Sequence, residues 1–188
     1  MYYTFRMSTS IPVQAHLSFL RILSLASRIL TATALYSFAK LPLFDSSPSI
    51  TSNSSPLLRW DAFHFTHIAH EGYVYDYEWA FFPGTPIVMR LAGGTIHLLK
   101  NAQLGPSSWD DFLQGGALAA LIFDSTTTLY LLTLHHFKSC TIALIVSVLS
   151  LIPSSPAVLR FASYSEPFFT YLSYQGTQGE FGVFPSIS

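Results

Sequence analysis

Asp61, Glu71, Asp76 and Glu78, with His64, His67 and His70, bring four of the chain's ten acids and three of its seven histidines into one short stretch. Five of them stand in RWDAFHFTHIAHEGY, which begins at Arg59, and Asp76 and Glu78 follow before AFFPGTP, which begins at Ala80. A carboxylate such as Asp61 in a partly dehydrated cleft can take the proton from an attacking hydroxyl. One group of that kind is enough for single-displacement transfer of a sugar. If the leaving group is a lipid monophosphate, a cation such as Arg59 or His64 can stabilise the developing charge. Asp61 would serve equally well as the cap of a short helix. Both roles stay open on the sequence.

The spacing from Trp60 to Gly72 predicts a short helix. Trp60, His64, His67 and Glu71 recur at i, i+4, i+7 and i+11 on one face, beside a more apolar face of Asp61, Phe65, Ile68 and Ala69. Such a helix would lie along a membrane surface with its aromatics at headgroup depth. Gly72 would turn the chain at its end. Tyr73, Tyr75, Tyr77 and Trp79 then alternate as in an extended segment, and serve a sugar or a membrane interface. His64 and His67 could share an ion with Glu71, but the HxxHxxH spacing is not that of the zinc hydrolases. Polar lining of a pocket is the preferred role, and no metal or other cofactor is expected.

The elements that must carry these residues belong to a membrane protein. Half of the 188 residues are hydrophobic and only 10% are charged, against about 25% charged in a typical soluble domain. The mean hydropathy is +0.40. A net charge of −1 without basic runs gives no reason to expect nucleic acid. The lone Cys140 excludes an internal disulfide and CxxC chemistry.

Apolar runs predict four or five spans: 17–43, 80–99 kinked by Pro83 and Pro86, 112–134 with Asp124 inside, 139–159 ended early by Pro153 and Pro156, and a further start at 163–174. Arg28, deep in the first run, should face protein rather than lipid, and Asp124 should pair with Arg28 or Arg90. His135-His136-Phe137-Lys138 reads as an interfacial break. Arg6, Arg21 and Arg28 favour a cytosolic N-terminus, with a cleaved signal peptide as the rival for the first run. The first loop, about 44–80, would then be lumenal, where the sequon at Asn53 has meaning.

A second constellation is SSPAVLRFASYSEPFF from Ser154, in which Glu166 precedes Pro167. Glu166 either caps a helix or lines a polar site. Simple alternation of spans would place this motif on the opposite side from the first loop. Residues 175–188 form a polar, Gly-rich tail after an apolar run that looks unfinished.

Together RWDAFHFTHIAHEGY, AFFPGTP and SSPAVLRFASYSEPFFTYLS resemble the GPI mannosyltransferase 2 (PIG-V type) family over roughly 17–174. The resemblance implies an all-α, polytopic GT-C membrane bundle, here truncated to about four or five spans within 1–174. It implies a multi-pass enzyme of the endoplasmic reticulum that transfers the second, α-1,6-linked mannose from dolichyl-phosphate-mannose to the GPI precursor. Membrane lipids and a small membrane partner subunit are the other expected partners. Asp61 maps onto the base, and Arg59, Trp60, His64, His67, Glu71 and Glu166 are the candidate substrate-binding residues. Two positions depart from the pattern: His70-Glu71 reverses the usual acid-then-His order, and Phe63 replaces a common polar residue. Family members are more than twice as long, so the chain is expected to be an incomplete and inactive piece. The alternatives are another lipid-phosphate-sugar-dependent transferase and a non-catalytic scaffold or assembly subunit of a glycolipid pathway.

Overall fold

The computed structural model describes residues 11–38, 40, 57, 61–100, 108–152 and 164–180, and among them there is no strand. The helices are α1 (Ile11–Phe38), α2 (Asp61–Glu71), α3 (Gly84–Leu99), α4 (Trp109–Ile122), α5 (Thr126–Phe137), α6 (Cys140–Leu149) and α7 (Glu166–Glu180), with a 3-10 turn at Asp76–Ala80. Arg6, the sequon at Asn53, Arg59, Trp60, Pro153, Pro156 and the tail beyond Glu180 lie outside the described residues.

α1 has 28 residues, about 42 Å at 1.5 Å per residue, more than a hydrocarbon core of about 30 Å. It is inside-out relative to a soluble helix. Ile22, Leu25, Ile29 and Leu30 are exposed, while Ser24 and Arg28 are buried. Lipid as the outer solvent explains this pattern, because only polar side chains then need protein partners. As expected, Arg28 faces protein. It donates to the Ala120 carbonyl at 2.6 Å and contacts Asp124 at 3.4 Å.

α4 and α5 together form the second run long and apolar enough to cross a membrane, Trp109–Phe137. The predicted single span is broken at residues 123–125. Asp124 makes the break tolerable: its carboxylate accepts from the Thr126 amide at 3.1 Å and hydroxyl at 2.7 Å, capping α5. Arg28 meanwhile occupies a carbonyl that α4 leaves unpaired at its end. Of the two arginines foreseen as partners of Asp124, Arg28 is the one in contact.

The prolines of AFFPGTP start α3 instead of kinking a span. The first helical bond runs from the Ile87 amide to the Pro83 carbonyl, so Pro86 sits in the first turn, where its missing N–H costs nothing. At 16 residues, or about 24 Å, α3 falls short of a span. It folds back against α4 as a tight antiparallel hairpin. A Cβ on Gly115 would lie 2.3 Å from the Gly93 amide nitrogen, so the two backbones touch, as small residues permit. At the end where the chain passes from α3 to α4, Asp111 takes Lys100 at 2.7 Å and His97 at 3.1 Å.

Helix directions follow from these contacts. His16 meets Tyr130 at 2.9 Å and Arg28 meets Asp124, so α5 runs antiparallel to α1. Lys138, in the left-handed region at φ 53°, makes the turn into α6 at the foreseen interfacial break. α6 then runs parallel to α1, and Ser27 reaches the Leu151 carbonyl. α7 descends along α5, from Phe168 beside Phe123 to Gln178 on the Thr128 carbonyl. α7 also continues through Glu180, into the segment read as a polar tail. Leu35 near the end of α1, Ala62 and Phe65 of α2, Met89 of α3, Phe112 of α4 and Tyr164 before α7 share one apolar cluster. The second motif therefore returns to the same end of the bundle as the first.

Candidate functional site

α2 forms where the periodicity placed it. Phe65, Ile68 and Ala69 point inward, and Asp61 and Glu71 are exposed. Its C-terminus closes on Gly72 at φ 85°, whose amide donates to the Ile68 carbonyl. Arg90 of α3 donates to the Ala69 carbonyl at 2.7 Å, placing a cation where the helix dipole favours one.

Asp61 is the first helical residue, and its carboxylate has no hydrogen-bond partner among the described residues. Across the cluster stands Tyr164, 6% exposed and packed with Ala62 and Phe65. Burial pushes its phenol above the ordinary value, and the nearby charges of Asp61 and Glu166 push it further the same way. An exposed carboxyl side chain and a buried phenol thus stand where the two motifs meet. Glu166 is not the cap of α7. The Phe169 amide bonds the Ser165 carbonyl, which makes Ser165 the cap, and Ser165 donates to Glu166 at 3.3 Å.

The alternating aromatic segment is not extended. It coils into the 3-10 turn and buries Glu78, which is 1% exposed. His67 Nδ1 donates to one Glu78 oxygen at 2.5 Å, and the Val74 and Tyr75 amides donate to the other at 2.8 and 3.0 Å. Burial alone would raise this carboxyl, but the two amides and His67 outweigh it and hold it below the ordinary value. The sequence marked Glu78 as one acid among four without giving it a role. The available signal was an acid placed among aromatics just beyond a helix-ending glycine.

The three histidines are dispersed. His67 turns to Glu78 and stacks on Tyr75, and His70 pairs with its neighbour Glu71. His64 stacks on Phe81 at 4.7 Å, and its Nδ1 is buried without a hydrogen-bond partner among the described residues. The alternative in which His64, His67 and Glu71 share one ion has no such cluster among the described residues. Trp109, at the start of α4, touches Phe63, His67 and His70 and walls this side. Aromatic rings, the His67–Glu78 pair and the exposed Asp61 thus share one end of the bundle.

The family model described as Mannosyltransferase (PIG-V) matches residues 13–182. The chain belongs to the PIG-V mannosyltransferase family. It is 40% identical over 164 residues to GPI mannosyltransferase 2 of Cryptococcus neoformans, covering 85% of this chain and 38% of that protein. GPI alpha-1,6-mannosyltransferase 2 of Mus musculus is 35% identical over 123 residues, covering 63% of this chain and 24% of the mouse protein. GPI mannosyltransferase 2 of Gibberella zeae is 31% identical over 147 residues, covering 78% and 31%. The chain therefore spans less than two fifths of the length of these relatives. No solved structure matches it.

Proposed function

We propose that this chain is the acceptor-activating part of a GPI mannosyltransferase. The full enzyme transfers the second, α-1,6-linked mannose from dolichyl-phosphate-mannose to the GPI precursor. In this reading Asp61 takes the proton from the acceptor hydroxyl as that oxygen attacks the anomeric carbon. The bond from that carbon to the phosphate oxygen breaks, and the lipid phosphate leaves with the electron pair. Arg59, Trp60, His64, His67, Glu71 and Glu166 are the residues this reading assigns to binding the two substrates. The observation that carries the proposal is Asp61, an exposed acid opening α2 at the junction with Tyr164 and Glu166, in a chain of this family.

A multi-pass enzyme in the endoplasmic reticulum, with both motifs on the lumenal side, suits this chemistry. In the GT-C bundle of four or five spans expected here, the α3–α4 hairpin would lie at the lumenal interface. A small membrane subunit would be a further partner.

The test is a chimera in which residues 13–182 replace the matching segment of the Cryptococcus relative. It is expressed in membranes lacking the endogenous enzyme and supplied with labelled mannose. Incorporation that disappears with Asp61→Asn, at unchanged expression, supports the proposal. Unchanged incorporation in that variant overturns it. Loss of an associated protein with transfer intact would support the scaffold reading instead.

A further inference from the structure

A second polar site lies apart from Asp61, where α6 ends and α5 begins. A cavity of about 240 Å³ is lined by Arg28, Asp124, Ser125, Thr126, Leu129, Ser150, Thr170 and Tyr174. Seven of these eight residues are polar, although the exposed faces of α1 and α6 around them carry Leu25, Ile29, Ile145 and Leu149. A polar hollow enclosed by lipid-facing helices is costly to leave without a polar occupant.

The lining also selects the chemistry of that occupant. Arg28 and Asp124 cancel in charge, so the cavity does not attract a net anion or cation. Around them stand hydroxyls from α5, α7 and the end of α6: those of Thr126 and Ser150 donate to Asp124 and the Ser147 carbonyl and are left as acceptors, while those of Thr170 and Tyr174 can donate or accept. Thr170 and Tyr174 lie one turn apart on α7, and neither hydroxyl has a partner among the described residues. Mixed donors and acceptors, no net charge and one aromatic ring suit a neutral polyhydroxylated ring. The volume is below the usual range for drug-sized ligands, about 300 Å³ and upward, which limits the guest to a single ring.

Glu166, Thr170 and Tyr174 recur every four residues along one face of α7. The cavity thus begins about 6 Å from the second motif and reaches about 12 Å from it, at 1.5 Å per residue. We infer that this cavity is a subsite for one sugar or cyclitol ring of a membrane glycolipid, held beside the reacting unit. The inference rests on the glycolipid acceptor proposed above, but it concerns binding alone and needs no turnover.

The test uses the 188-residue chain in detergent micelles and measures thermal unfolding against added lipid. Phosphatidylinositol supplies a cyclitol ring, phosphatidic acid the phosphate without a ring, and phosphatidylcholine a zwitterionic headgroup. Phosphatidylinositol is expected to raise the unfolding temperature more than the other two. Thr170→Val with Tyr174→Phe should weaken its apparent affinity about five- to tenfold, the loss expected from removing one or two neutral hydrogen bonds. Arg28 and Asp124 stay untouched because they hold the α4–α5 break. Asp61→Asn should leave this binding unchanged, so a failure of the transfer proposal would not be mistaken for a failure here. Equal shifts with phosphatidic acid, no shift with any lipid, or full affinity in the double variant would each overturn the subsite.

Discussion

Glu78 and His67, eleven residues apart in sequence, are joined across the Gly72 turn by a hydrogen bond in which the imidazole donates to a carboxylate that is 1% exposed. The pair fixes the aromatic turn 73–80 against α2, and the same carboxylate also takes two backbone amides. Because the Glu78 carboxyl is held below its ordinary value of 4.5, its stabilising contribution is complete above that value. It is lost as pH falls from there through the folded-state value. Wild-type protein should therefore lose thermal stability on acidification below about pH 4.5, and Glu78→Gln should flatten that part of the profile. Equal acid sensitivity in both proteins would remove this pair as a source of it.

Asp61 is exposed, so Asp61→Asn should change stability by no more than about 0.5 kcal/mol. In the chimera with the Cryptococcus relative, the same change should lower mannose transfer about 10²- to 10⁴-fold, the range for losing a general base. Residues 1–188 expressed alone should restore no transfer. Many large apolar side chains on α1, α3 and α6 face outward, and the relatives carry most of their length beyond the matched part. Rescue by the short chain would refute this expectation.

At the α3–α4 contact, a methyl group has no room. Gly115→Ala places a Cβ 2.3 Å from the Gly93 amide nitrogen and 2.8 Å from its Cα. The obstacle is backbone, which cannot rotate away, and overpacking of this kind costs about 1–3 kcal/mol. Thermal unfolding in detergent should show the loss. Gly94→Ala, where a Cβ meets nothing within 4 Å, should be tolerated.

Arg28 joins three elements, and removing it strands Asp124 and the Ala120 carbonyl. Arg28→Met should destabilise the bundle by about 3–5 kcal/mol, as breaking one side of a buried pair does. Adding Asp124→Leu should recover part of the loss, leaving the uncapped start of α5 as the remainder. A double variant no better than Arg28→Met would show that the carbonyl and cap bonds, rather than charge, dominate.

Local rules made several of these features legible. Arg28 is legible as protein-facing because lipid does not tolerate it, Gly72 as a turn because glycine ends helices, and residues 135–138 as a break because imidazoles and a lysine interrupt the apolar run. Other features depend on partners distant in the chain. The partner of Glu78 is not legible in the alternating aromatics, since alternation points to a strand while the 3-10 turn is organised by the bonds of Glu78 to His67 and to the Val74 and Tyr75 amides. Pro83 and Pro86 looked like kinks because the start of α3 is set by the Pro83 carbonyl, not by hydropathy. The break at Asp124 was hidden inside a continuous apolar stretch. The proximity of Tyr164 to Asp61 arises only from tertiary packing.

The α3–α4 hairpin also bears on insertion. Its two antiparallel arms contribute an even number of reversals, so excising both would leave every later helix pointing the way it already points. α4 is also the first half of the apolar run Trp109–Phe137, so the hairpin cannot be removed without shortening that run to the 12 residues of α5. A change that parts the arms at Gly93 and Gly115 therefore reaches beyond α3, into the element that leads to the Arg28–Asp124 contact.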